Sequence, residues 1–211
     1  MYALCGYHFP MAGDLRDSGG KLVLIIGPSG VGKSVILQRL RNRHPEYHFP
    51  RSATTRPQRP GESDQLYHFV SDAAFDALIA EGQVLEWALV HGGARYGTLA
   101  KEILPHIDSG ETVVREVDVQ GFESIRKHAL FAGSRARYRL ITIFLLPEST
   151  DQLIAHIQKR APMNAEELKR RLQSMEKELA YADLCTAKVL SREGKLNIAL
   201  AEVERVIEEQ Q

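Results

Sequence analysis

One short segment constrains this chain more than any other, because an apolar run leads directly into a glycine-rich loop. The run Lys21–Ile26 (KLVLII) is rich in β-branched residues and predicts a buried parallel strand. The loop, residues 27–34, reads GPSGVGKS and fits the pattern G-x-x-x-x-G-K-[ST]. Apolar residues recur at helical spacing in the next segment, Lys33–Arg43. A strand, a glycine-rich loop and a helix in this order predict a nucleotide-binding phosphate loop.

The chemistry of this loop follows from its residue types. Glycines let the backbone turn so that its N–H groups face phosphate oxygens, and the next helix adds the positive end of its dipole. Lys33 adds a full charge near the β- and γ-phosphates, and the Ser34 hydroxyl is a suitable ligand for Mg²⁺ bound with ATP. The predicted ATP-binding residues are Gly27, Pro28, Ser29, Gly30, Val31, Gly32, Lys33 and Ser34. Alone, such a loop would serve a switch GTPase, a motor ATPase or a small-molecule kinase.

Strand patterns alternate with helical patterns along most of the chain. Further strands are predicted at Gln83–Val90, Thr112–Val119, Tyr138–Leu146 and Ala187–Leu190. Further helices are predicted at 73–82, 98–108, 121–130, 149–160, 164–182 and 196–209. This alternation predicts an α/β fold, with a P-loop parallel sheet core flanked by helices.

Residues 47–97 depart from this alternation, with several short strands, many turn residues and one helix. They are a candidate subdomain inserted into a core formed by residues 21–46 and 98–211. Within that core, residues 158–171 are rich in Lys and Arg, which favours a mobile helical lid. Residues 1–20 precede the first strand and are interpreted as a flexible N-terminal arm.

Composition narrows the classes of function. A length of 211 residues suits one domain, or one core with small attached subdomains. Lys and Arg number 27 and so do Asp and Glu, and this net charge of zero argues against whole-surface binding to nucleic acid or an anionic membrane. No apolar run approaches the roughly 20 residues of a membrane span. Cys5 and Cys185 lie far apart, which favours reduced thiols over a disulfide and a cytoplasmic location.

A basic turn after the first helix indicates a second anion site. Arg56 and Arg59 lie three residues apart within Ser52–Glu62 (SATTRPQRPGE), a stretch too short and too Pro-rich for a helix. On an extended strand and turn, their planar forks of donors can converge on one phosphate. A solvated basic turn is the alternative. Two anion sites in a chain of this length favour a kinase that binds donor and acceptor together.

With these residues in view, the sequence resembles guanylate kinase, the nucleoside monophosphate kinase that moves the ATP γ-phosphate to GMP. The resemblance runs from about Lys21 to about Tyr181 and rests on motifs in the family's order with nearly its spacing. The motifs are GPSGVGKS at 27–34, SATTRPQRPGE at 52–62, YHFVS at 67–71, EW at 86–87, YG at 96–97, EVDVQG at 116–121 and RL…ELAY at 171–181. The resemblance implies a P-loop core, a GMP-binding insertion at 47–97 and an arginine-bearing lid.

The same resemblance implies roles for individual residues of the acceptor site. It assigns the GMP phosphate to Arg56, Arg59, Tyr67 and Tyr96. It assigns the guanine base to Ser52, Glu86 and Thr98. A carboxylate suits guanine because it can accept from both N1–H and the exocyclic amine, whereas adenine presents an acceptor at N1. A surface strand residue is the alternative interpretation of Glu86.

Two further sets complete the implied site. Glu116 and Asp118 end an apolar strand, the usual place for acidic groups that serve Mg²⁺ and the acceptor, so the resemblance counts both with the GMP site. For Asp118, a helix N-cap is an equal alternative. The implied catalytic residues are Lys33, Arg160 and Arg171, the two arginines closing over the γ-phosphate to neutralise its charge. A solvated basic helix face is the alternative for each arginine.

The match weakens near the C-terminus. Leu190–Lys195 (LSREGK) lacks the Asn-Asp pair that commonly follows the family's last strand, and Arg192 lies there instead, which leaves donor-base selectivity open. The C-terminal part of the chain also loosely resembles ribose 1,5-bisphosphate phosphokinase, which would not need Glu86 to recognise guanine. The rival from another class is a non-catalytic guanylate-kinase-like binding module, a type that lacks the lysine present here as Lys33. The expected partners are ATP and GMP, without nucleic acid or membrane, and the oligomeric state stays open.

Overall fold

The structure is a computed structural model that describes residues 19–89, 93–151, 153–154 and 165–210, without the side chains of residues 165 and 167. The described chain divides into two compact units. The first unit holds residues 19–22, 48–113 and 123–139 within these limits, and the second holds residues 23–47, 114–122 and 140–210. Among the described residues, no helix is both long and apolar enough to cross a membrane.

The strands, in chain order, are β1 (Lys21–Ile26), β2 (Ser52–Thr54), β3 (Tyr67–Phe69), β4 (Val84–Leu89), β5 (Arg95–Leu99), β6 (Thr112–Glu116), β7 (Arg139–Pro147) and β8 (Ala187–Ser191). The helices are α1 (Lys33–Arg43), α2 (Asp72–Ala80), α3 (Leu104–Asp108), α4 (Val119–Lys127), α5 (Ala165–Leu179) and α6 (Leu196–Glu209). Short 3₁₀ segments lie at Ala100–Glu102 and Ala180–Leu184.

The larger sheet has the strand order β6-β1-β7-β8. Strands β7 and β8 run parallel. Strands β6 and β1 are also parallel. Lys21 N donates to Glu111 O at the start of the pair, and Val117 N donates to Ile25 O near its end. Every residue of β1 is buried, as a strand covered on both faces requires. The predicted α/β fold, with a parallel sheet flanked by helices, is confirmed.

The smaller sheet has the order β3-β2-β5-β4 and is mixed, because β2 pairs parallel to β3 while β5 pairs antiparallel to β2 and β4. Helix α2 packs on one face through Phe75, which is fully buried against Ala53 and Leu99. Ser71 caps this helix, since its Oγ accepts a hydrogen bond from Ala74 N at 3.1 Å. One face of the sheet is therefore used for packing, and the other remains for polar side chains.

The helix predicted at 98–108 is wrong over its first half. Thr98 belongs to β5, which pairs with strands on both sides, and a 3₁₀ turn precedes the short helix α3. The strand predicted at 112–119 ends at Glu116, since Val119 already begins α4. Val90, at the end of the predicted strand 83–90, lies outside the described residues.

Several predicted regions lie wholly or partly outside the described residues. These are the arm, of which residues 1–18 are not described, the helix predicted at 149–160, of which residues 152 and 155–160 are not described, and the lid, of which residues 158–164 are not described. The boundaries of the GMP-binding insertion, 47–97, and of the core around it stay predictions. Cys185 is half-buried and its Sγ–H donates to Tyr181 O at 3.5 Å, while Cys5 lies outside the described part.

Candidate functional site

The phosphate loop uses backbone conformations that require glycine. Gly27 has φ 146°, and a Cβ placed there would lie 2.6 Å from Leu145 O. Gly32 has φ 101° in the left-handed region and forms the N-cap of α1. The predicted spacing of glycines thus corresponds to a strand-to-helix turn whose helix N-terminus faces the loop, the geometry suited to a phosphate.

Lys33 and Ser34 begin helix α1 beside the loop. Lys33 Nζ donates to Gly27 O at 2.6 Å and to Pro28 O at 3.0 Å, so its ammonium lies over the loop backbone. Ser34 Oγ donates to Glu116 Oε2 at 3.2 Å. The fold thus brings together a predicted metal ligand and a predicted acidic residue that are 82 positions apart in sequence.

Ser191, to which the sequence interpretation gave no role, holds the loop from behind. It ends β8, is almost fully buried, and its Oγ donates to Val31 O at 2.8 Å. Ligand loops in α/β sheets lie at the carboxyl ends of the strands. A polar residue at the end of the last strand is therefore the sequence feature that could have identified Ser191 as a residue close to the phosphate loop.

Two acidic groups add to the electrostatics of the same unit. Asp118 Oδ1 accepts a hydrogen bond from Gly121 N at 2.8 Å, which makes Asp118 the N-cap of α4. Glu178, on α5, lies in the motif at 171–181, but the sequence interpretation gave it no role. Burial raises the pKa of Glu178, an effect that the positive charge of Lys33 opposes and the negative charge of Asp118 increases. An anion arriving at Lys33 would therefore meet a local balance of charges rather than a uniformly positive surface.

Five of the predicted acceptor-site residues lie in the smaller sheet, in the first unit. Strand register aligns Tyr67 with Ser52, Ser52 with Thr98, and Thr98 with Glu86. Register partners point to one side of a sheet, so these four residues form one row across all four strands. Tyr96 lies two residues before Thr98 and therefore shares this face. We call these five residues the acceptor face.

Glu86 is the carboxylate of the acceptor face and is only 8% exposed. Thr98, fully buried, donates its Oγ1–H to Glu86 Oε1. A buried carboxylate is costly unless hydrogen-bonded, so Thr98 both stabilises Glu86 and fixes the orientation of its oxygens. The interpretation of Glu86 as an exposed strand residue is therefore wrong.

Arg56 lies just beyond β2, beside the acceptor face. Its Nε–H donates to Tyr96 Oη at 3.0 Å, and its guanidinium carbon lies 5.4 Å from the ring centre of Tyr67. Both oxygens of Glu62 accept from its Nη atoms, at 2.7 and 2.9 Å. This pairing raises the pKa of Arg56 and, together with the backbone N–H of Arg59, lowers that of Glu62 to about 2. Sequence reasoning placed Glu62 in the motif but did not pair it with Arg56.

The remaining predicted residues lie outside the acceptor face and the phosphate loop, or outside the described residues. The Arg59 side chain is exposed on the turn after Arg56. Arg171 is exposed on α5, and Arg160 lies outside the described residues. Arg192, where the family's Asn-Asp pair is missing, lies 3.8 Å from Glu148 in an exposed ion pair. Such a pair contributes little to stability.

Comparison with known proteins gives one consistent family. A family model described as Guanylate kinase matches residues 19–210. The guanylate kinase of Nocardia farcinica is 43% identical over 166 residues, 78% of this chain and 82% of the relative. That of Nostoc sp. is 41% identical over 165 residues, 78% of this chain and 78% of the relative.

A solved structure agrees at the level of fold. The guanylate kinase from Anaplasma phagocytophilum matches with a TM-score of 0.66 and 21% identity, over 92% of this chain and 88% of that one. The family model spans most of the chain, and relatives about 40% identical cover more than two thirds of it. The chain belongs to the guanylate kinase family of nucleoside monophosphate kinases.

Proposed function

We propose that the protein transfers the γ-phosphate of ATP to GMP in the presence of Mg²⁺, giving ADP and GDP. The observation that carries this proposal is the acceptor face, where a buried, hydrogen-bonded Glu86 is aligned with Thr98, Ser52 and Tyr67. The phosphate loop with Lys33 and Ser34 supplies the second requirement, a donor site.

Glu86 would select guanine by accepting hydrogen bonds from N1–H and the exocyclic amine. The Thr98 hydroxyl already holds one carboxylate oxygen, so the orientation of Glu86 does not have to be established when the base arrives. Adenine would present the lone pair of its N1 to the same carboxylate. Such a buried mismatch can make an enzyme roughly 10⁴-fold less active on the mismatched substrate, here AMP, than on the matched one.

The acceptor phosphate would be held by Arg56, Arg59, Tyr67 and Tyr96. Tyr96 Oη accepts from Arg56 Nε, so the Tyr96 hydroxyl proton can be donated to a phosphate oxygen. The positive charge of Arg56 lies beside the Tyr67 ring, which keeps the guanidinium next to the acceptor face. Two cations, Arg56 and Arg59, and two neutral donors, Tyr67 and Tyr96, would thus bind a monophosphate with directional bonds.

The donor phosphates would lie against the loop backbone at the N-terminus of α1. Lys33 would exchange its bonds to Gly27 O and Pro28 O for phosphate oxygens, carrying its charge to the transferred group. Arg171, and Arg160 outside the described residues, would add charge to the γ-phosphate from the proposed lid.

The residues at the loop fit the requirements of Mg²⁺. The Ser34 hydroxyl and the Glu116 carboxylate are hard oxygen donors, and their oxygens lie 3.2 Å apart, close to the separation of neighbouring ligands around this ion. Bound with ATP, Mg²⁺ would neutralise charge on the phosphate oxygens. Ser34 and Glu116 would hold it at the donor side.

No general base is required in this scheme, because the attacking oxygen belongs to an already ionised phosphate. The contribution of the chain is alignment of two anions that repel each other, together with neutralisation of their charge by Lys33 and the arginines.

A coupled assay of ADP release tests the proposal directly. ATP and Mg²⁺ would be supplied with GMP, dGMP, AMP or ribose 1,5-bisphosphate, and each reaction would be repeated with excess EDTA. We expect turnover with GMP, far less with AMP, and loss of activity in EDTA. Turnover with ribose 1,5-bisphosphate but not GMP would identify the alternative phosphokinase. Absence of turnover with every acceptor, together with binding of a phosphopeptide, would identify a binding module.

The wider setting of this activity is also proposed. We infer ATP and GMP as the partners and the cytoplasm as the location, the latter from a composition of two cysteines that lie far apart in sequence. Fractionation of cells expressing the tagged full chain would test the location.

A further inference from the structure

We propose that His48, His106 and Glu111 form a binding site for a borderline-soft dication, Zn²⁺ being the ion it suits best. One ligand atom from each of these three side chains lies within 4.8 Å of the other two. All three residues belong to the first unit, and none belongs to the acceptor face or to the phosphate loop. Two imidazoles and one carboxylate are a donor set that Zn²⁺ favours and Mg²⁺ does not.

The ligand-bearing segment between His106 and Glu111 is a short, hydrogen-bonded turn. Glu111 N donates to His106 O at 2.9 Å, and Gly110 N donates to Ile107 O at 3.0 Å. His48 N donates to Thr112 O at 2.9 Å, which joins the third ligand to the same turn. The three residues are therefore brought together by backbone bonds that do not depend on an ion, which reduces the entropic cost of binding one.

His48 offers a nitrogen suited to coordination. Its Nε2 is buried, and among the described residues no hydrogen-bond partner reaches it. A neutral imidazole that carries its lone pair on Nε2 binds a metal through that nitrogen.

His106 and Glu111 already share a bond that an ion can replace. His106 Nδ1 and Glu111 Oε2 are 2.9 Å apart, while Ser109 Oγ donates to the other oxygen, Glu111 Oε1, at 2.9 Å. Ser109 thus orients the carboxylate and leaves Oε2 toward the imidazoles, as outer-shell donors do in metal sites.

The two imidazoles define the movement that binding requires. The rings of His48 and His106 are stacked, with centres 3.4 Å apart and planes 10° from parallel. Nitrogen lone pairs lie in the ring plane, so two parallel rings cannot both point at one ion. Rotation of one ring about its Cβ–Cγ bond would make the two planes converge, and the protein would then supply three ligands and leave a fourth position open.

Titration of the metal-free, untagged full chain with Zn²⁺ alone tests this proposal. Isothermal titration calorimetry is expected to show a saturable site of one equivalent per chain that Glu111→Gln and His106→Ala each weaken at least about 10-fold. His68→Ala is the matched control, since His68 pairs with a single carboxylate, Glu102, in the same unit. This variant should bind Zn²⁺ like the wild type.

Two further measurements keep the test independent of folding defects. Co²⁺ in place of Zn²⁺ should give visible absorption bands of a low-coordinate nitrogen–oxygen site, absent in the conservative variant Glu111→Gln. At a Zn²⁺ concentration 100 times the Kd, the thermal midpoint of the wild type should rise by about 5–10 °C. Equal Zn²⁺ affinity in wild type and Glu111→Gln, or no saturable binding at all, would overturn the proposal.

Discussion

Glu62 holds the guanidinium of Arg56 with both of its carboxylate oxygens, at 2.7 and 2.9 Å. Arg56 has five N–H donors, and the carboxylate, Tyr96 Oη and Pro57 O together take four of them. The cation proposed to bind the acceptor phosphate is therefore fixed in place by an acid from its own turn.

This pairing predicts the effect of Glu62→Gln. The neutral amide can accept from only one Nη atom, so Arg56 loses its fixed orientation, and the KM for GMP should rise about 10-fold with a smaller change in kcat. The lowered pKa of Glu62, about 2 against an ordinary 4.5, keeps the pair intact above pH 4.5, and its stabilising effect is lost as pH falls through about 2. Steady-state kinetics at pH 7.5 measure the change. A fall in KM would show instead that Glu62 competes with the phosphate.

Lys33→Ala should reduce kcat by roughly 10²-fold or more. Its ammonium lies over the loop at Gly27 O and Pro28 O, where it would stabilise charge in the transition state. Arg41→Ala removes one positive charge from the exposed part of the same helix and serves as the control, with little expected change in rate. Similar rates for both variants would exclude a specific role for Lys33.

Glu86→Gln should reduce discrimination between GMP and AMP, measured as the ratio of kcat/KM values, by about 10- to 100-fold. A glutamine keeps one acceptor for guanine but places an amide donor opposite the other guanine donor. Glu81→Gln, at an exposed position after α2, removes the same charge from the same unit and should leave the ratio unchanged. An unaltered ratio in Glu86→Gln would count against its role in base recognition.

The free energy of unfolding should fall as pH is lowered below about 6.5, in part through His128. Burial lowers the pKa of His128, and its Nδ1 accepts a hydrogen bond from Leu130 N at 3.3 Å, which requires the unprotonated nitrogen. Because the unfolded chain binds this proton first, the contribution is present above pH 6.5 and is lost at lower pH.

Urea unfolding between pH 5.5 and 8, with a chelator present, measures this dependence. His128→Gln should show a shallower decrease than the wild type. The lowered pKa of His48 acts in the same direction, so a residual decrease is expected in the variant. Equal pH dependence in both proteins would contradict the prediction.

Gly97→Ala should destabilise the first unit by about 1–3 kcal/mol. A Cβ at this position would lie 2.9 Å from Phe75 Cζ and 3.2 Å from Glu86 O, inside the core beneath the acceptor face. Phe75→Leu removes the nearer ring atom, so the double variant should be more stable than the sum of the single effects predicts, by at least about 0.5 kcal/mol. Urea unfolding of the four proteins measures the coupling, and simple additivity would show that the strain lies elsewhere.

The sequence by itself determined those features that depend on neighbouring residues. Strand β1 and helices α1 and α6 have the predicted bounds, because each carries a single clear hydrophobic pattern. The phosphate loop can also be identified from the sequence, because its glycines, Lys33 and Ser34 lie within eight consecutive positions. The cap at Ser71 also follows from local hydrogen-bonding chemistry.

Tertiary structure decided what depends on distant partners. Thr98 lies in a strand rather than a helix because β2 and β4 pair with β5 from both sides, and no local window contains those partners. The same is true of Ser34 with Glu116, of Ser191 with Val31, and of His48 beside His106 and Glu111. Local sequence patterns specify which chemical groups are available, whereas strand order and register determine which of them meet, because the free energy of those contacts is gained only when the sheets close.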